Sequence, residues 1–137
     1  MKQRRVVITG MGLISPLGIG LEKNWEALME GRSGISTITK FDASDLDTKI
    51  AGEVKDCDPQ QFLDRKELKR TDPFIQYALA ASQMAVDQAN LRFNGSDAHQ
   101  VGVLIGSGIG GLQTIEQYHA VLLERGPSKI SPFFIPM

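Results

Sequence analysis

"VLIGSGIGGLQTI", residues 103–115, poses the question on which the fold turns. The apolar run Val103, Leu104 and Ile105 leads into Gly106, Gly108 and Gly111 in G-x-G-x-x-G register, and a helical pattern follows. Strand, glycine turn and helix in succession make an α/β junction. The same register holds dinucleotide phosphates where it opens a βαβ unit with an acid about 20 residues further on. At that distance beyond Gly111 lies "SPFF" (131–134), which carries no acid. A second near-match, "VVITGMGLISPLG" (6–18), has Ser15 in the third glycine position and Pro16 where the phosphate-binding helix should start. Two readings of the 106–111 glycines remain: a tight turn where backbone meets backbone, or a loop packed closely against a substrate.

Outward from that stretch, hydrophobic spacing predicts strands alternating with helices. "RRVVIT" (4–9) reads as a buried strand, with Gly10, Gly12, Pro16 and Gly18 forming the loop after it. A helix is expected over 21–30, with Leu21, Trp25, Leu28 and Met29 on one face and Gly31 at C′. Residues 32–49 read as loop, and "KIAGEV" (49–54) as a short edge strand. Residues 58–70 read as a short helix carrying most of its charge at its end. Asp72 and Pro73 supply an N-cap and a proline at N1 for a helix over 74–89. The alanines at 78, 80, 81, 85 and 89 let that helix sit deep against its neighbours. Residues 90–100 form an exposed connection, 101–105 a second buried strand, and 112–124 a helix closed by Gly126 and Pro127.

Composition limits the functional classes. The 137 residues are 42% hydrophobic and 23% charged, with a net charge of −1. Neither nucleic acid nor an anionic membrane is therefore expected as the main partner. The apolar runs fall short of a membrane span, and the stretch after "MKQRR" is too short for a signal-peptide core. A single cysteine excludes an internal disulfide and agrees with a reducing cytoplasm. The apolar end "SPFFIPM" suggests a polypeptide cut inside a larger domain.

Few residues here are equipped for chemistry. Cys57 stands between Asp56 and Asp58, whose carboxylates disfavour a thiolate, so it reads as a surface thiol. His99 reads as solvated, and His119 as packed or hydrogen-bonded on its helix. By contrast, "RKELKR" (65–70) concentrates Arg65, Lys66, Lys69 and Arg70 around one acid, Glu67. At helical spacing Lys66 shares a face with Lys69 and Arg70, which suits an acidic partner.

Five blocks in order, "RRVVITGMGLISPLG", "NWEALMEGRSGI", "RKELKRTDPFIQYALAA", "IGSGIGGLQTIE" and "GPSKISPFFIPM", resemble the β-ketoacyl-[acyl-carrier-protein] synthases, in particular the synthase II branch of bacterial type II fatty-acid synthesis. The resemblance implies an α/β, thiolase-like fold. Family members have two similar halves in a layered α-β-α-β-α sandwich, work as homodimers and are well over twice this length. Residues 1–137 would then be an incomplete N-terminal half that stops before the nucleophile. The implied reaction is a decarboxylating condensation of an acyl thioester with malonyl-acyl-carrier-protein, in the cytoplasm, with no cofactor or metal. Its cysteine and two histidines would lie beyond Met137, so no catalytic residue is expected within this chain, which alone should be inactive.

The resemblance also assigns roles by position. Gly108, Ile109, Gly110 and Phe134 match the acyl pocket, with Ile109 as the gate at its inner end. Arg65, Lys66, Lys69, Arg70 and Lys129 match the docking site for the acidic acyl carrier protein. Ser128 departs from the pattern, since family members often have a second basic residue there. Two other readings stay open: a non-catalytic module that binds carrier protein or pairs with a subunit, and a cysteine-less relative like the chain-length factors of polyketide systems.

Overall fold

The computed structural model describes residues 4–93 and 98–137. It divides into two compact units, one of residues 1–58 and 81–91, the other of residues 59–80 and 92–137.

The first unit starts with a small hairpin. Strands β1 (Ile14–Ser15) and β2 (Gly18–Ile19) pair antiparallel, with Ile14 opposite Ile19. The Leu17 N–H donates to Ser15 Oγ across the turn. Helix α1 (Leu21–Met29) follows and locks onto the hairpin through Asn24, which is 2% exposed. Its Nδ2 donates to the carbonyls of Gly18 (2.8 Å) and Gly20 (2.7 Å), while the Ser15 hydroxyl donates to its Oδ1. This corrects the expected buried face of α1. Asn24 and Ala27 face inward, whereas Trp25, Leu28 and Met29 lie exposed, Trp25 at 62%. The hairpin offers carbonyls that need a donor, and an amide supplies it where an apolar side chain cannot. Gly31 takes a positive φ of 67°, as a C′ residue requires.

Strands β3 (Ile35–Thr37) and β4 (Ile50–Gly52) form a second antiparallel pair. The edge strand expected over 49–54 is present, but its partner lies in the stretch read as loop. Glu53, next to β4, fastens the chain beyond β3. Its carboxylate accepts the Thr39 N–H and hydroxyl and the Lys40 N–H, at 2.7–3.1 Å.

Helix α3 (Pro73–Gln88) is shared between the units, with residues 81–88 in the first. Here the alanines do what was expected of them. A Cβ on Gly12 would lie 1.8 Å from the Ala81 carbonyl oxygen, and one on Gly10 would lie 2.1 Å from that of Ala85. The 10–12 strap therefore runs directly on the helix backbone, and the Met11 N–H donates to Gln88 Oε1 at 2.7 Å. These glycines serve packing. The helix is not deep throughout, however: among its residues only Ala80 is buried.

In the second unit, a 3₁₀ turn (Pro59–Gln61) precedes the short helix α2 (Arg65–Leu68) and the first half of α3. Helix α4 (Leu112–Arg125) ends at Gly126, with φ 80°, and leads into 3₁₀ turns at Pro127–Lys129 and Pro132–Phe134. The strands expected over 4–9 and 101–105 are not formed. Val6 is 91% exposed and Leu104 99%. An apolar run marks a chain that would bury its side chains, but a strand exists only where another backbone pairs with it. Among the described residues neither run has such a partner.

Candidate functional site

The sequence-predicted docking and pocket residues all belong to the second unit. The basic turn is built by its N-cap. Asp64 accepts the N–H groups of Lys66 (2.7 Å) and Glu67 (2.8 Å), and Glu67 Oε2 in return accepts the Asp64 N–H at 3.1 Å. This reciprocal capping box explains why so short a helix forms at all. It also has an electrostatic result. Glu67, the one acid inside the patch, is turned back onto the N-cap. Arg65, Lys66, Lys69 and Arg70 lie exposed, and none enters an ion pair among the described residues. Lys69 closes α2 as its C-cap, so the cations follow one continuous turn. Arg70 has a second engagement: its guanidinium lies over the Phe133 ring, 4.4 Å from the centroid. Lys129 is exposed in the 3₁₀ turn after α4.

The glycine loop is loosely held. Among the described residues a Cβ on Gly106 or Gly108 would meet no atom within 4 Å, and Ile109 is 76% exposed. Gly110, with φ 78°, donates its N–H to Ser107 Oγ at 3.1 Å. Phe134 packs edge-on to Tyr118, with ring centroids 5.3 Å apart. It lines an apolar cavity of about 290 Å³ with Ile115, Leu122 and Ile130, and another of similar size with Phe74 and Gly111. Of the four residues expected at the acyl pocket, Phe134 lines both of these cavities, and Gly108, Ile109 and Gly110 line neither.

The reactive side chains stand as follows. Cys57 is half-buried, and burial first, then the Asp58 carboxylate, push its thiol up from the ordinary value. A thiol so placed is a poor nucleophile. His99 is exposed as expected. His119 corrects its expectation, since it lies exposed at the rim of the cavity beside Tyr118 and is not packed in. Asp72 was expected as the N-cap of α3, and its carbonyl does accept the N–H groups of Ile75 and Gln76. Its carboxylate turns elsewhere: Oδ1 accepts the Thr114 hydroxyl, 42 positions away in the chain. An Asp before a proline and a Thr after glycines carry separate local meanings, and no spacing in the sequence couples them.

Comparison with known proteins places this arrangement. Residues 3–137 match the family described as "Beta-ketoacyl synthase, N-terminal domain". The chain belongs to that family. It is 53% identical over its whole length to the 3-oxoacyl-[acyl-carrier-protein] synthase 2 of Synechocystis sp., and 50% identical over 99% of its length to that of Vibrio harveyi. Among solved structures, 96% of it superposes on "The ishigamide ketosynthase/chain length factor" with a TM-score of 0.77 at 33% identity. A β-ketoacyl synthase from Burkholderia phymatum gives 0.78 at 26% identity over 97% of the chain. The chain spans about a third of the length of these relatives. The thiolase-like α/β class read from the sequence is thereby established, and the glycine loop is a ketosynthase segment, not a dinucleotide fingerprint. No helix of the described residues is long and apolar enough to cross a membrane.

Proposed function

We propose that these residues act as the N-terminal part of a 3-oxoacyl-[acyl-carrier-protein] synthase, in which they receive the carrier protein and gate the acyl pocket. The observation that carries the docking half is the capping box of α2. By holding Glu67 on the N-cap it leaves Lys66 and Lys69 uncompensated and exposed. Such a patch steers an acidic partner toward it. Arg65 and Lys129 extend it. Arg70 contributes charge while its guanidinium face rests on Phe133. The family resemblance assigns Gly108, Ile109, Gly110 and Phe134 to the acyl pocket of the whole enzyme, with Ile109 the residue that shifts to admit long chains.

In the reaction proposed for the whole enzyme, an acyl group passes from the carrier thiol to a cysteine. Malonyl-carrier protein then loses CO2, and the resulting carbanion attacks the thioester carbonyl. A C–C bond forms, the C–S bond breaks and the cysteine thiolate leaves. Cys57, with its raised pKa and acidic neighbours, does not serve that step. The nucleophile and the histidines that promote decarboxylation would belong to residues outside this segment. Cytoplasmic location and a homodimer accompany the same reading. A chain-length-factor-like role draws support from one solved structure at 33% identity. The synthase reading rests on relatives of 50–53% identity over 99–100% of the chain, and it is the one we adopt.

The test is charge reversal in the natural polypeptide. Lys66→Glu with Lys69→Glu should lower kcat/KM for carrier-borne acyl substrates by about tenfold at low ionic strength, with the deficit shrinking as salt rises. Acyl-pantetheine substrates, which bring no carrier protein, should be used unchanged. Equal use of carrier-borne substrate by variant and parent at low salt would refute the docking assignment.

A further inference from the structure

Helix α4 starts without a side chain to cap it. Its N-cap is Gly111, and no side chain bonds the cap position. The first N–H groups of a helix need a partner, and its N-terminus favours negative charge. The Asp72 carboxylate reaches this end from another part of the chain, through the Thr114 side chain and not through the helix N–H groups. Oδ1 accepts the hydroxyl of Thr114, the third residue of α4 and itself buried, at 2.5 Å. Oδ2 is sealed from solvent without a hydrogen-bond partner among the described residues, and a Cβ on Gly111 would lie 2.2 Å from it. The carboxylate therefore lies hard against the α-carbon of Gly111. The main chain of Asp72 is held in turn by α3, whose Ile75 and Gln76 N–H groups donate to its carbonyl at 3.0 and 3.1 Å.

We propose that Asp72 is a positioning residue, which through Thr114 clamps the start of α4 and makes Gly110 and Gly111 the fixed pivot of the glycine loop. Loose contacts as far as Gly108 and a clamp at Gly111 confine movement of Ile109 to the stretch before the pivot. A loop with one fixed end has a defined open and closed position, whereas a loop free at both ends does not. The carboxylate thus governs how sharply the loop separates long acyl chains from short ones. This inference rests on the reading of Ile109 as the gate.

The experiment uses the natural polypeptide and acyl-carrier-protein primers of short and long chain. Thr114→Val removes the hydroxyl at constant shape, and Thr114→Ser restores it. Valine should shift the long-to-short ratio of kcat/KM by about threefold or more, with serine returning it toward the parent value. Hydrogen exchange at residues 107–112 should speed up in the valine variant alone, a readout that survives if turnover is lost. An equal change at both chain lengths, or unchanged exchange at 107–112, would overturn the proposal. Ile109→Phe separates the two readings. If it penalises long primers selectively while Thr114→Val does not, the clamp falls and the gate stands. If it acts uniformly on all lengths, the gate itself falls, and the clamp falls with it.

Discussion

Glu53 shows at the scale of one residue how polar burial is made tolerable. It is only 6% exposed and has three donors on Thr39 and Lys40. The Thr39 hydroxyl, then the Thr39 amide, hold its carboxyl below the usual glutamate value; burial opposes them, and the Lys40 amide and Lys55 add to them. A carboxylate whose pKa is lower folded than unfolded stabilises the fold above the unfolded value, and that contribution is lost as pH falls through the folded one. Stability should therefore decline from about pH 4.3 downward. Glu53→Gln should be less stable than the parent at neutral pH and flatter in that acidic range. Thermal melts from pH 7 to pH 3 measure both, and parallel profiles would contradict the role given to Glu53. Asn24 teaches the companion lesson, that an amide can be the inward-facing residue of a helix whose aromatic neighbour stays outside.

Among the elements, α2 depends most on one contact. Removing its cap with Asp64→Ala should cost about 1 kcal/mol of local stability. Faster hydrogen exchange at the amides of Lys66 and Glu67, which Asp64 accepts, is the sign to look for. Unchanged exchange there would mean that packing alone holds the turn. Loss of the cap should also free Glu67 to swing toward the lysines, so the capping box links shape to charge. The helices α1, α3 and α4 were legible because their termini carry local signals: Gly31, Pro73 and Gly126 each stand where the chain changes direction. The β3–β4 ladder was half legible. Its partner strand has no apolar alternation, and only the pairing itself reveals it.

On the scale of the whole molecule, the apolar surface is the dominant feature. Val6, Val7 and Ile8, and again Val103, Leu104 and Ile105, are exposed and unpaired among the described residues. Extended apolar backbone with free N–H and C=O groups is a template for association. The 137-residue polypeptide by itself should associate at tens of micromolar, with Val6→Lys and Leu104→Lys reducing the effect. Sedimentation velocity decides, and a monodisperse monomer over that range would contradict the expectation.

The sequence by itself determined the bounds of α1, α3 and α4 (though not those of α2), the concentrated cations of residues 65–70, the unsuitability of Cys57 and the family. All of these depend on neighbours within a few positions, or on the order of blocks along the chain. Only the tertiary structure decided which face of α1 is buried, that Gly10 and Gly12 lie on the backbone of α3, and that the Asp72 carboxylate accepts the hydroxyl of Thr114, 42 positions away at the start of α4. Those depend on which groups meet in space, where an unsatisfied carbonyl or an uncapped helix end selects its partner by distance and not by spacing along the chain.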